Sequence, residues 1–446
     1  MSYAAAIEGL FSLAGELYTA PGQPRRKFEL NEMRVLAEGL GHPERVFPSV
    51  LVAGTNGKGS TSATLASILA SAGYRTGLYT SPHLSRVNER VRIGGVEISD
   101  DDFAACYFRV DDCARRLVSE GALRGHPSFF EAMTALAFLA FAEKQIDIAV
   151  LEVGMGGRLD ATNIVEPVVS VITDISIDHT EWLGSTIAEI TREKAGILRR
   201  NGVLVALPQH PEANQAIGEA AEELGVRGVS AAVYVPGREA AVGNEYSLTV
   251  LGEWIDVKSQ LTGVHQQRNT ALAIAAAVEL RNFHSYNISA AQIADGIRRT
   301  QWPGRLERFA QPGRADVLLD VAHNPAGAWA LRSALSHLDP EPGTMTAVFG
   351  CLKDKPVGEI AQILFPMFAT VVLVEVDSPR KASLAEMETA AVATGVKVVA
   401  AENVRNAMER AWAATPTDGK ADGLVVVTGS VYLVGAARAM LVEGRP

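Results

Sequence analysis

The sequence predicts an α/β fold of two domains: a larger N-terminal domain with a mainly parallel β-sheet, and a smaller C-terminal α/β domain. Length is the first indication, because 446 residues exceed the about 250 to 300 at which one hydrophobic core stops growing. Strand-length apolar runs also alternate with amphipathic helical stretches, which is typical of parallel sheets covered by helices. Finally, Pro303 and Gly304 interrupt the helical pattern, which predicts domains of residues 1–300 and 301–446.

Strands of the N-terminal domain are expected where short apolar runs are bounded by polar or glycine-rich residues. They are predicted at residues 49–53, 147–153, 168–173 and 202–207. Between residues 229 and 257 the pattern changes to glycine-punctuated alternation, typical of an antiparallel hairpin with strands at 246–250 and 254–257. A helix is expected to follow the hairpin at 267–280.

The C-terminal domain repeats the alternation of strands and helices. Its strands are predicted at residues 317–321, 345–349, 371–375, 396–400 and 424–428. Helical patterns separate them, so we expect a doubly wound, Rossmann-like α/β domain.

Composition excludes several classes of protein. Apolar residues make up 48% and charged residues 21%, which is ordinary for a globular chain. The net charge is −10 without a block of Lys and Arg, so no affinity for nucleic acid or anionic membranes is expected. The N-terminus has no basic leader, and no apolar run reaches the about 20 residues that span a bilayer. With Cys106, Cys113 and Cys351 expected as buried thiols, these features predict a cytoplasmic protein.

The most informative segment joins the first strand to an Ala- and Leu-rich helix. It reads Gly54, Thr55, Asn56, Gly57, Lys58, Gly59, Ser60 and Thr61. Glycines in such a strand–loop–helix context let backbone N–H groups surround phosphate oxygens at a helix N-terminus. Lys58 would add a point charge beside the β and γ phosphates, and Ser60 or Thr61 a hydroxyl near Mg²⁺. We therefore predict a P-loop ATPase domain that binds ATP.

The loop departs from the general Walker spacing. Val52 stands where the first glycine should be, and Gly59 separates Lys58 from the hydroxyl residues. The alternative is a glycine-rich turn without a ligand, which the flanking strand and helix make the weaker interpretation.

Glu152 is the natural Mg²⁺ ligand, because it ends a buried strand beside the phosphate loop of an open α/β sheet. The alternative is a Glu that caps the next loop through backbone N–H groups. Gly154 and Gly156 suggest a dinucleotide fingerprint, but Leu159 occupies the place of its third glycine. A dinucleotide site is therefore not expected.

His179 follows another strand and is flanked by Asp178 and Glu181, where a second cation could be held. A single His is more often structural, and Mg²⁺ prefers oxygen ligands. Chemistry alone therefore does not assign His179 to a metal.

Lys194 shares a helix face with Ile187, Ile190 and Ile197, so it is predicted to point toward the core. Burial favours the neutral, nucleophilic amine. Reaction with carbon dioxide would give an anionic carbamate able to bind a metal, and a salt bridge is an equally good interpretation.

Seven motifs appear in a fixed order along the chain. They are GTNGKGST, TSPHLSRVNERVR, LEVGMGGRLDATN, DHTEWLG, REKAGIL, WPGR and DVAHNP. In this order they resemble folylpolyglutamate synthase and dihydrofolate synthase of the Mur ligase superfamily, closely over residues 27–325. The resemblance continues more loosely through KDKP at 353–356 and TGS at 428–430, and it favours the bifunctional bacterial type.

The resemblance implies a set of nucleotide and metal residues. It places Mg²⁺ on Ser81, Glu152 and His179, with Ser60 from the loop, and it implies a carboxylated Lys194. It also implies that Asn269, Arg305 and Asp320, with His323 nearby, complete the ATP site, and that ATP lies between the two domains.

The resemblance also implies residues that bind the folate substrate. They are Glu29, Leu30, Asn31, Ser81, Pro82, His83, Phe129, Phe130, Glu131, Leu159, Asp160 and Ala161. Asn31 replaces an expected Gly, and Glu29 an expected Asp. Core packing is an equally good explanation of the aromatic pair.

The expected reaction is ATP-dependent ligation of L-glutamate to dihydropteroate or a reduced folate. The substrate carboxylate attacks the γ-phosphate, and the amine of glutamate attacks the resulting acyl-phosphate to give an amide. A peptidoglycan Mur ligase is disfavoured, since only about 50 residues precede Gly54, fewer than the ~100 to 150 of a typical domain. A P-loop switch that uses ATP hydrolysis to change shape remains the alternative of a different class. A monomer is expected by resemblance.

Overall fold

The computed structural model describes residues 2–13, 30–237, 244–338, 344–415 and 423–443. The predicted folate residue Glu29 lies outside these residues. The chain forms two compact units. The first contains Met1–Pro82, Asn88–Gln260 and Gln267–Thr300, and the second contains His83–Val87, Leu261–Gln266 and Gln301–Pro446.

Helices and strands alternate through the first unit. Its helices are α1 (Tyr3–Ser12), α2 (Leu30–Gly39), α3 (Lys58–Ser71), α4 (Asp100–Ser119), α5 (Phe129–Glu143), α6 (Thr180–Leu183), α7 (Ile187–Ala195), α8 (Pro211–Leu224), α9 (Val264–Phe283) and α10 (Ala290–Arg299). Its strands are β1 (Ser49–Ala53), β2 (Thr76–Tyr79), β3 (Val91–Ile93), β4 (Val96–Glu97), β5 (Ile148–Glu152), β6 (Val169–Ile172), β7 (Val203–Ala206), β8 (Arg227–Ser230), β9 (Glu245–Val250) and β10 (Glu253–Lys258). The start of α9 is grouped with the second unit.

The main sheet of the first unit is largely parallel. Its strand order is β4-β3-β2-β5-β1-β6-β7-β8, and only the β2–β3 and β3–β4 pairs at one edge are antiparallel. Every residue of β1 and β5 is buried, as expected when helices cover both faces of a parallel sheet. The hairpin of β9 and β10 forms a separate antiparallel pair. The predicted fold class is therefore confirmed for this unit.

The strand order has a direct consequence for function. The strands β2, β5, β1 and β6 are parallel neighbours, so their carboxyl ends lie at one edge of the sheet. In register, Val52 of β1 lies opposite Glu152 of β5. The residues that follow these strands include Ser81, Gly54 and Asp174, and the fold places them at the same edge.

The second unit is a smaller α/β structure. Its elements are β11 (Glu307–Phe309), β12 (Asp316–Leu319), α11 (Pro325–His337), β13 (Met345–Phe349), α12 (Val357–Leu364), β14 (Thr370–Val374), α13 (Leu384–Val392), β15 (Lys397–Ala401), α14 (Val404–Ala414), β16 (Leu424–Thr428) and α15 (Val431–Glu443). The strand order is β11-β12-β16-β13-β14-β15, parallel except for β11.

Alternation along its strands explains why this second sheet is covered on both faces. Leu318 and Val426 belong to one apolar cluster, whereas their neighbours Val317 and Val427 belong to another. Successive side chains of a strand point to opposite faces, so each cluster occupies one face. The doubly wound arrangement predicted from sequence is confirmed.

The three cysteines and the helices agree with the expectations from composition. Cys106, Cys113 and Cys351 are free and buried, and burial raises the pKa of the Cys351 thiol to about 12. No helix in the described part of the chain combines the length and apolar character that a bilayer crossing requires.

Candidate active site

The predicted phosphate loop has a backbone that only glycine fits. Gly54 and Gly57 have φ values of +148° and +89°, in the region that favours glycine. A Cβ on Gly54 would lie 1.8 Å from Thr173 Oγ1, and a Cβ on Gly57 would lie 2.1 Å from Asn269 Oδ1. Close approach of neighbouring side chains therefore requires both glycines.

The segment after β6 holds the start of this loop. The backbone N–H groups of Thr55 and Asn56 both donate to the carbonyl of Asp174, at 2.9 and 3.1 Å. The Thr55 hydroxyl donates to the Ser176 carbonyl at 3.0 Å, and Asn56 Nδ2 donates to Ser176 Oγ at 3.1 Å. The side chains of Thr55 and Asn56 thus anchor the loop to Ser176.

Lys58 begins α3 and folds back over the loop. Its Nζ donates to the carbonyls of Gly54 at 3.1 Å and Thr55 at 3.0 Å. The adjoining Ser60 and Thr61 are buried. A fixed positive charge therefore stands beside the N-terminus of a 14-residue helix, where the helix dipole and the first N–H groups attract anions. This arrangement suits a phosphate group.

Asn269 reaches the loop from the start of α9, as expected. It is buried, its carbonyl accepts a hydrogen bond from Thr61 Oγ1 at 3.4 Å, and its side chain lies against Gly57. The fold therefore joins Asn269 to the loop across more than 200 positions of sequence.

Glu152 contacts the SPHL segment after β2. Its carboxylate is buried, and Oε2 accepts a hydrogen bond from the backbone N–H of Ser81 at 3.1 Å. This hydrogen bond joins Glu152 to the loop of the neighbouring strand. Pro82 is exposed, and His83 belongs to the second unit.

Lys194 also points at the phosphate loop. The side chain is buried, and Nζ donates to the Gly54 carbonyl at 2.8 Å. Burial and the nearby positive charge of Lys58 lower its pKa to about 7, although Asp178 and Asp160 act in the opposite direction. The carbamate and the salt-bridge interpretations both stay predictions.

His179 lies on the surface at the start of α6. Its φ of +52° is left-handed, its N–H donates to Asp178 Oδ1 at 2.8 Å, and its Nε2 lies 4.0 Å from Asp178 Oδ2. Within the described ranges, no three His, Cys, Asp or Glu side chains form a metal cluster. The Glu152 carboxylate is nevertheless the kind of oxygen donor that Mg²⁺ prefers.

The predicted aromatic pair begins α5. Phe130 packs near Tyr79, with ring centroids 6.1 Å apart, and lies so close to Gly154 that a Cβ there would be 2.5 Å from the ring. Phe129 packs on Phe11 at 5.6 Å and beneath the Arg90 guanidinium at 5.2 Å. Each ring of the predicted pair therefore packs on another aromatic ring, and we refer to Phe11, Tyr79, Phe129 and Phe130 together as the aromatic cluster. The absence of a side chain at Gly154 gives Phe130 its space.

Glu131 closes the N-terminus of the same helix. Its Oε2 accepts hydrogen bonds from the N–H and the hydroxyl of Ser128, both at 2.8 Å. The Ser128 hydroxyl accepts in turn from the Glu131 N–H, which makes a complete capping box. This carboxylate has a structural task that the sequence-based interpretation did not include.

Asp160 likewise organises its own loop. Oδ2 accepts from the N–H groups of Gly154 and Met155 at 3.0 and 3.1 Å, and Oδ1 accepts from the N–H and hydroxyl of Thr162. Burial raises the pKa of this carboxyl, and the four hydrogen bonds oppose that shift. Its neighbours differ, since Leu159 is 37% exposed and Ala161 is buried.

Two further predicted folate residues start α2. Leu30 is half-buried and Asn31 is exposed. Among the described residues, no hydrogen bond or ring contact links either of them to the aromatic cluster.

The nucleotide residues predicted in the second unit surround the end of β12. Asp320 is buried and accepts from the N–H groups of Leu306 and Ala322 at 3.1 and 2.9 Å. Burial raises its pKa, and the nearby Arg305 guanidinium acts against that shift. His323 Nδ1 donates to the Val321 carbonyl at 2.8 Å.

The sequence-based interpretation missed the role of residues 173–176 and of Arg268. Arg268 pairs with Asp174 through two hydrogen bonds of 2.9 and 2.6 Å. A signal was present, because the TDIS run follows the strand next to β1 and Arg268 directly precedes the predicted Asn269. Without the strand order, however, the two segments could not be paired.

Two family models and several known proteins match this chain. Residues 52–277 match the Mur ligase middle domain, and residues 304–431 match the Mur ligase, glutamate ligase domain. The dihydrofolate synthase/folylpolyglutamate synthase of Bacillus subtilis is 35% identical over 425 residues, which cover 92% of this chain and 94% of that protein.

Solved structures extend the similarity to the whole fold. Mycobacterium tuberculosis folylpolyglutamate synthase complexed with ADP and AMPPCP has a TM-score of 0.88 at 34% identity, covering 100% of this chain and 99% of that one. Escherichia coli FolC in complex with DHPP and ADP has a TM-score of 0.83 at 30% identity, with the same coverage. The chain therefore belongs to the folylpolyglutamate synthase/dihydrofolate synthase family of ADP-forming Mur ligases.

Proposed function

We propose that this chain uses ATP to join L-glutamate to dihydropteroate and to reduced folates, through an acyl-phosphate, giving an amide, ADP and phosphate. The observation that carries the proposal is the junction at Gly54, whose carbonyl accepts hydrogen bonds from both Lys58 and Lys194. The Lys58 ammonium beside a glycine-rich loop suits the stabilisation of a phosphoryl group in transfer, and Lys194, at the same carbonyl, is the proposed site of a metal-binding carbamate. A single-activity folylpolyglutamate synthase is the alternative, and another Mur-type amino-acid ligase is a more distant one.

The nucleotide is proposed to bind to the loop Gly54–Thr61 and to Asn269, all within the first unit. Arg305, Asp320 and His323 remain proposed nucleotide residues, supported by the order of their motifs WPGR and DVAHNP along the chain. Residues 1–300 are proposed as the ATP-binding domain and residues 301–446 as the glutamate-ligase domain.

Magnesium is proposed to bind through Ser60, Ser81, Glu152, His179 and a modified Lys194. When bound, it would neutralise charge on the phosphates during transfer. The buried Glu152, in contact with the Ser81 backbone, would orient such a site because its carboxylate is already fixed. Lys58 would hold the γ-phosphate against the loop.

Lys194 is proposed to carry the modification, because its lowered pKa supplies a neutral amine. Its Nζ would attack carbon dioxide, forming an N–C bond and releasing one proton, and the product is an anionic carbamate. The carbamate nitrogen keeps one hydrogen, which can continue to donate to the Gly54 carbonyl. The new oxygens would serve as hard metal ligands.

The folate substrate is proposed to lie against Phe129 and Phe130 and along the backbone of Leu159–Ala161. Leu30, Asn31 and the SPHL residues Ser81, Pro82 and His83 are further proposed contacts, together with Glu29. Glu131 and Asp160 are proposed to contribute by positioning this surface, since their carboxylates bind their own loops.

Phosphate release from Mg-ATP tests the function. Purified protein should release phosphate with dihydropteroate plus L-glutamate and with tetrahydrofolate plus L-glutamate, and only slowly when either partner is omitted. A rate of phosphate release that depends on neither the folate nor glutamate would favour the ATPase switch and contradict the ligase proposal. Phosphate release with tetrahydrofolate plus L-glutamate, but none with dihydropteroate plus L-glutamate, would identify a single-activity folylpolyglutamate synthase.

The proposed oligomeric state is a monomer, and the proposed location is the cytoplasm. The three free, buried thiols are typical of a reducing compartment. Light scattering of the purified chain checks the first point, since a mass near 47.4 kDa is expected.

A further inference from the structure

Residues 173–176 bind the first part of the phosphate loop and fix its backbone. Thr173 Oγ1 packs against Gly54, the Asp174 carbonyl accepts the N–H groups of Thr55 and Asn56, and Ser176 bonds both of their side chains. The shape of the loop therefore depends on where the Asp174 backbone lies.

Arg268, in α9, holds residues 173–176 in place. Its Nε donates to Asp174 Oδ2 at 2.9 Å and its Nη2 donates to Asp174 Oδ1 at 2.6 Å, which is a bidentate pair. The same Nη2 also donates to the Pro208 carbonyl at 3.0 Å. One guanidinium therefore joins the segments that follow β6 and β7.

Gln209 holds the residue next to Asp174. Its Oε1 accepts the N–H of Ile175 at 2.7 Å, and its Nε2 lies 3.5 Å from the Thr173 carbonyl. Asp174 is thus restrained through its own carboxylate and through its neighbours on both sides. A backbone held at three consecutive residues can present one carbonyl in a fixed direction.

The Arg268–Asp174 pair is better placed to orient the loop than to stabilise the fold. The Arg268 side chain is 29% exposed and that of Asp174 is 36% exposed, and ion pairs that water reaches contribute little to stability. By contrast, small displacements of a binding loop have large effects on ligand affinity and rate. A pair of this kind should therefore affect nucleotide binding more than unfolding.

We propose that Arg268 is a positioning residue for the nucleotide, acting through Asp174 on the backbone of Thr55 and Asn56. The inference rests on the proposed ATP-dependent function. Arg268 itself needs no contact with ATP, because its effect passes through the two hydrogen bonds that the Asp174 carbonyl accepts.

Titration calorimetry with ADP, without folate, tests the inference on the full chain. Arg268→Ala should weaken ADP binding by about tenfold and raise the KM for ATP with little change in the KM for the folate. Arg192→Ala is the matched control, since Arg192 pairs with Glu219 at 3.5 Å on the surface of the same unit. It should leave ADP affinity unchanged.

A charge exchange separates positioning from a general structural role. The double variant with Arg268→Asp and Asp174→Arg should bind ADP more tightly than Arg268→Asp alone, because it restores the pair. Equal ADP affinities for wild type and Arg268→Ala, or a double variant no better than the single one, would overturn the inference. A wild-type chain that does not bind ADP would instead overturn the proposed function.

Discussion

Two regions of the first unit use ionisable side chains in opposite ways. At the phosphate loop, the Nζ atoms of Lys58 and Lys194 both donate to the carbonyl of Gly54, so two ionisable side chains converge where a ligand would bind. Around the start of α5, Glu131 and Asp160 direct their carboxylates to their own backbones. What remains beside them is an aromatic cluster containing Phe130.

The difference matches the chemistry of the two proposed ligands. Phosphates need fixed positive charge and backbone N–H groups, whereas a flat heterocycle needs a shaped, apolar surface. The phosphate loop therefore supplies charged and hydrogen-bonding groups, and the aromatic cluster supplies an apolar surface of fixed shape. Substitutions should separate the two, with charge changes dominating at the loop and volume changes dominating at the aromatic cluster.

The largest effect is expected for Lys58→Ala. Removing the ammonium beside the loop takes away charge stabilisation during phosphoryl transfer, and kcat should fall by at least about 10³. Phosphate release under saturating substrates measures it. Lys144→Ala is the control, because Lys144 pairs with Asp102 at 2.9 Å on the surface, and its kcat should not change. A Lys58→Ala enzyme with normal kcat would remove the loop from the chemistry.

Lys194→Met should lower kcat by about 10² and should also change how stability depends on pH. The folded-state pKa is about 7, against an ordinary value of 10.5. Below pH 7 both states are protonated and the folded chain bears the full cost of a buried charge. Between about pH 7 and 10.5 the unfolded state binds more protons, so stability rises with pH.

Denaturant unfolding of the metal-free chain in bicarbonate-free buffer measures this dependence. The free energy of unfolding of wild type, minus that of Lys194→Met, should be flat below about pH 6 and should increase from pH 7 toward pH 10. Parallel curves for the two proteins would show that Lys194 titrates normally. They would also remove the chemical basis for a carbamate at this position.

A smaller effect is expected for Gly154→Ala, which tests whether the shape of the surface around Phe130 matters for folate binding. The added Cβ would lie 2.5 Å from the Phe130 ring, so the ring must move. Overpacking of this kind costs about 1 to 3 kcal/mol, and the KM for the folate should rise about tenfold without a change in the KM for ATP. Gly218→Ala is the control, since nothing lies within 4 Å of its Cβ position. Equal folate KM values for both variants would contradict the assignment.

The sequence predicted the frame of the molecule well because its signals are local. The run SVLVA became β1 with the predicted bounds, and the alternation after residue 300 gave five parallel strands. The short strand β2, TGLY, was not predicted, because four residues with a glycine give little periodicity. The edge strand β8 was missed for a related reason, since RGVS is mostly exposed and carries a single apolar side chain.

The site was predictable where a motif forms its own geometry. GTNGKGST specifies a loop through its glycines, but the partners of that loop come from distant segments that only the strand order unites. Asp174 lies about 120 residues away, and its role depends on a backbone carbonyl, which no side-chain pattern reveals. The capping roles of Glu131 and Asp160 were missed for another reason. The resemblance implies which residues are important but not whether their side chains contact the ligand.

The smallest effect is expected for Glu131→Gln, which tests whether this carboxylate binds the folate or holds the helix. Glutamine can replace glutamate in a capping box, so the free energy of unfolding should fall by less than about 1 kcal/mol and the KM for the folate should stay the same. The chain offers a matched control in Glu189, whose Oε2 accepts the Thr186 N–H at 3.0 Å in a second capping box at α7.

Glu189→Gln should therefore resemble Glu131→Gln in melting temperature and in both KM values. If Glu131→Gln alone raises the KM for the folate tenfold or more, the carboxylate touches the substrate. The aromatic cluster would then bind the folate through a charged group as well as through its shape, and both regions would use charge in binding. If the two variants agree, Glu131 acts only by fixing the first turn of α5, which carries Phe129 and Phe130.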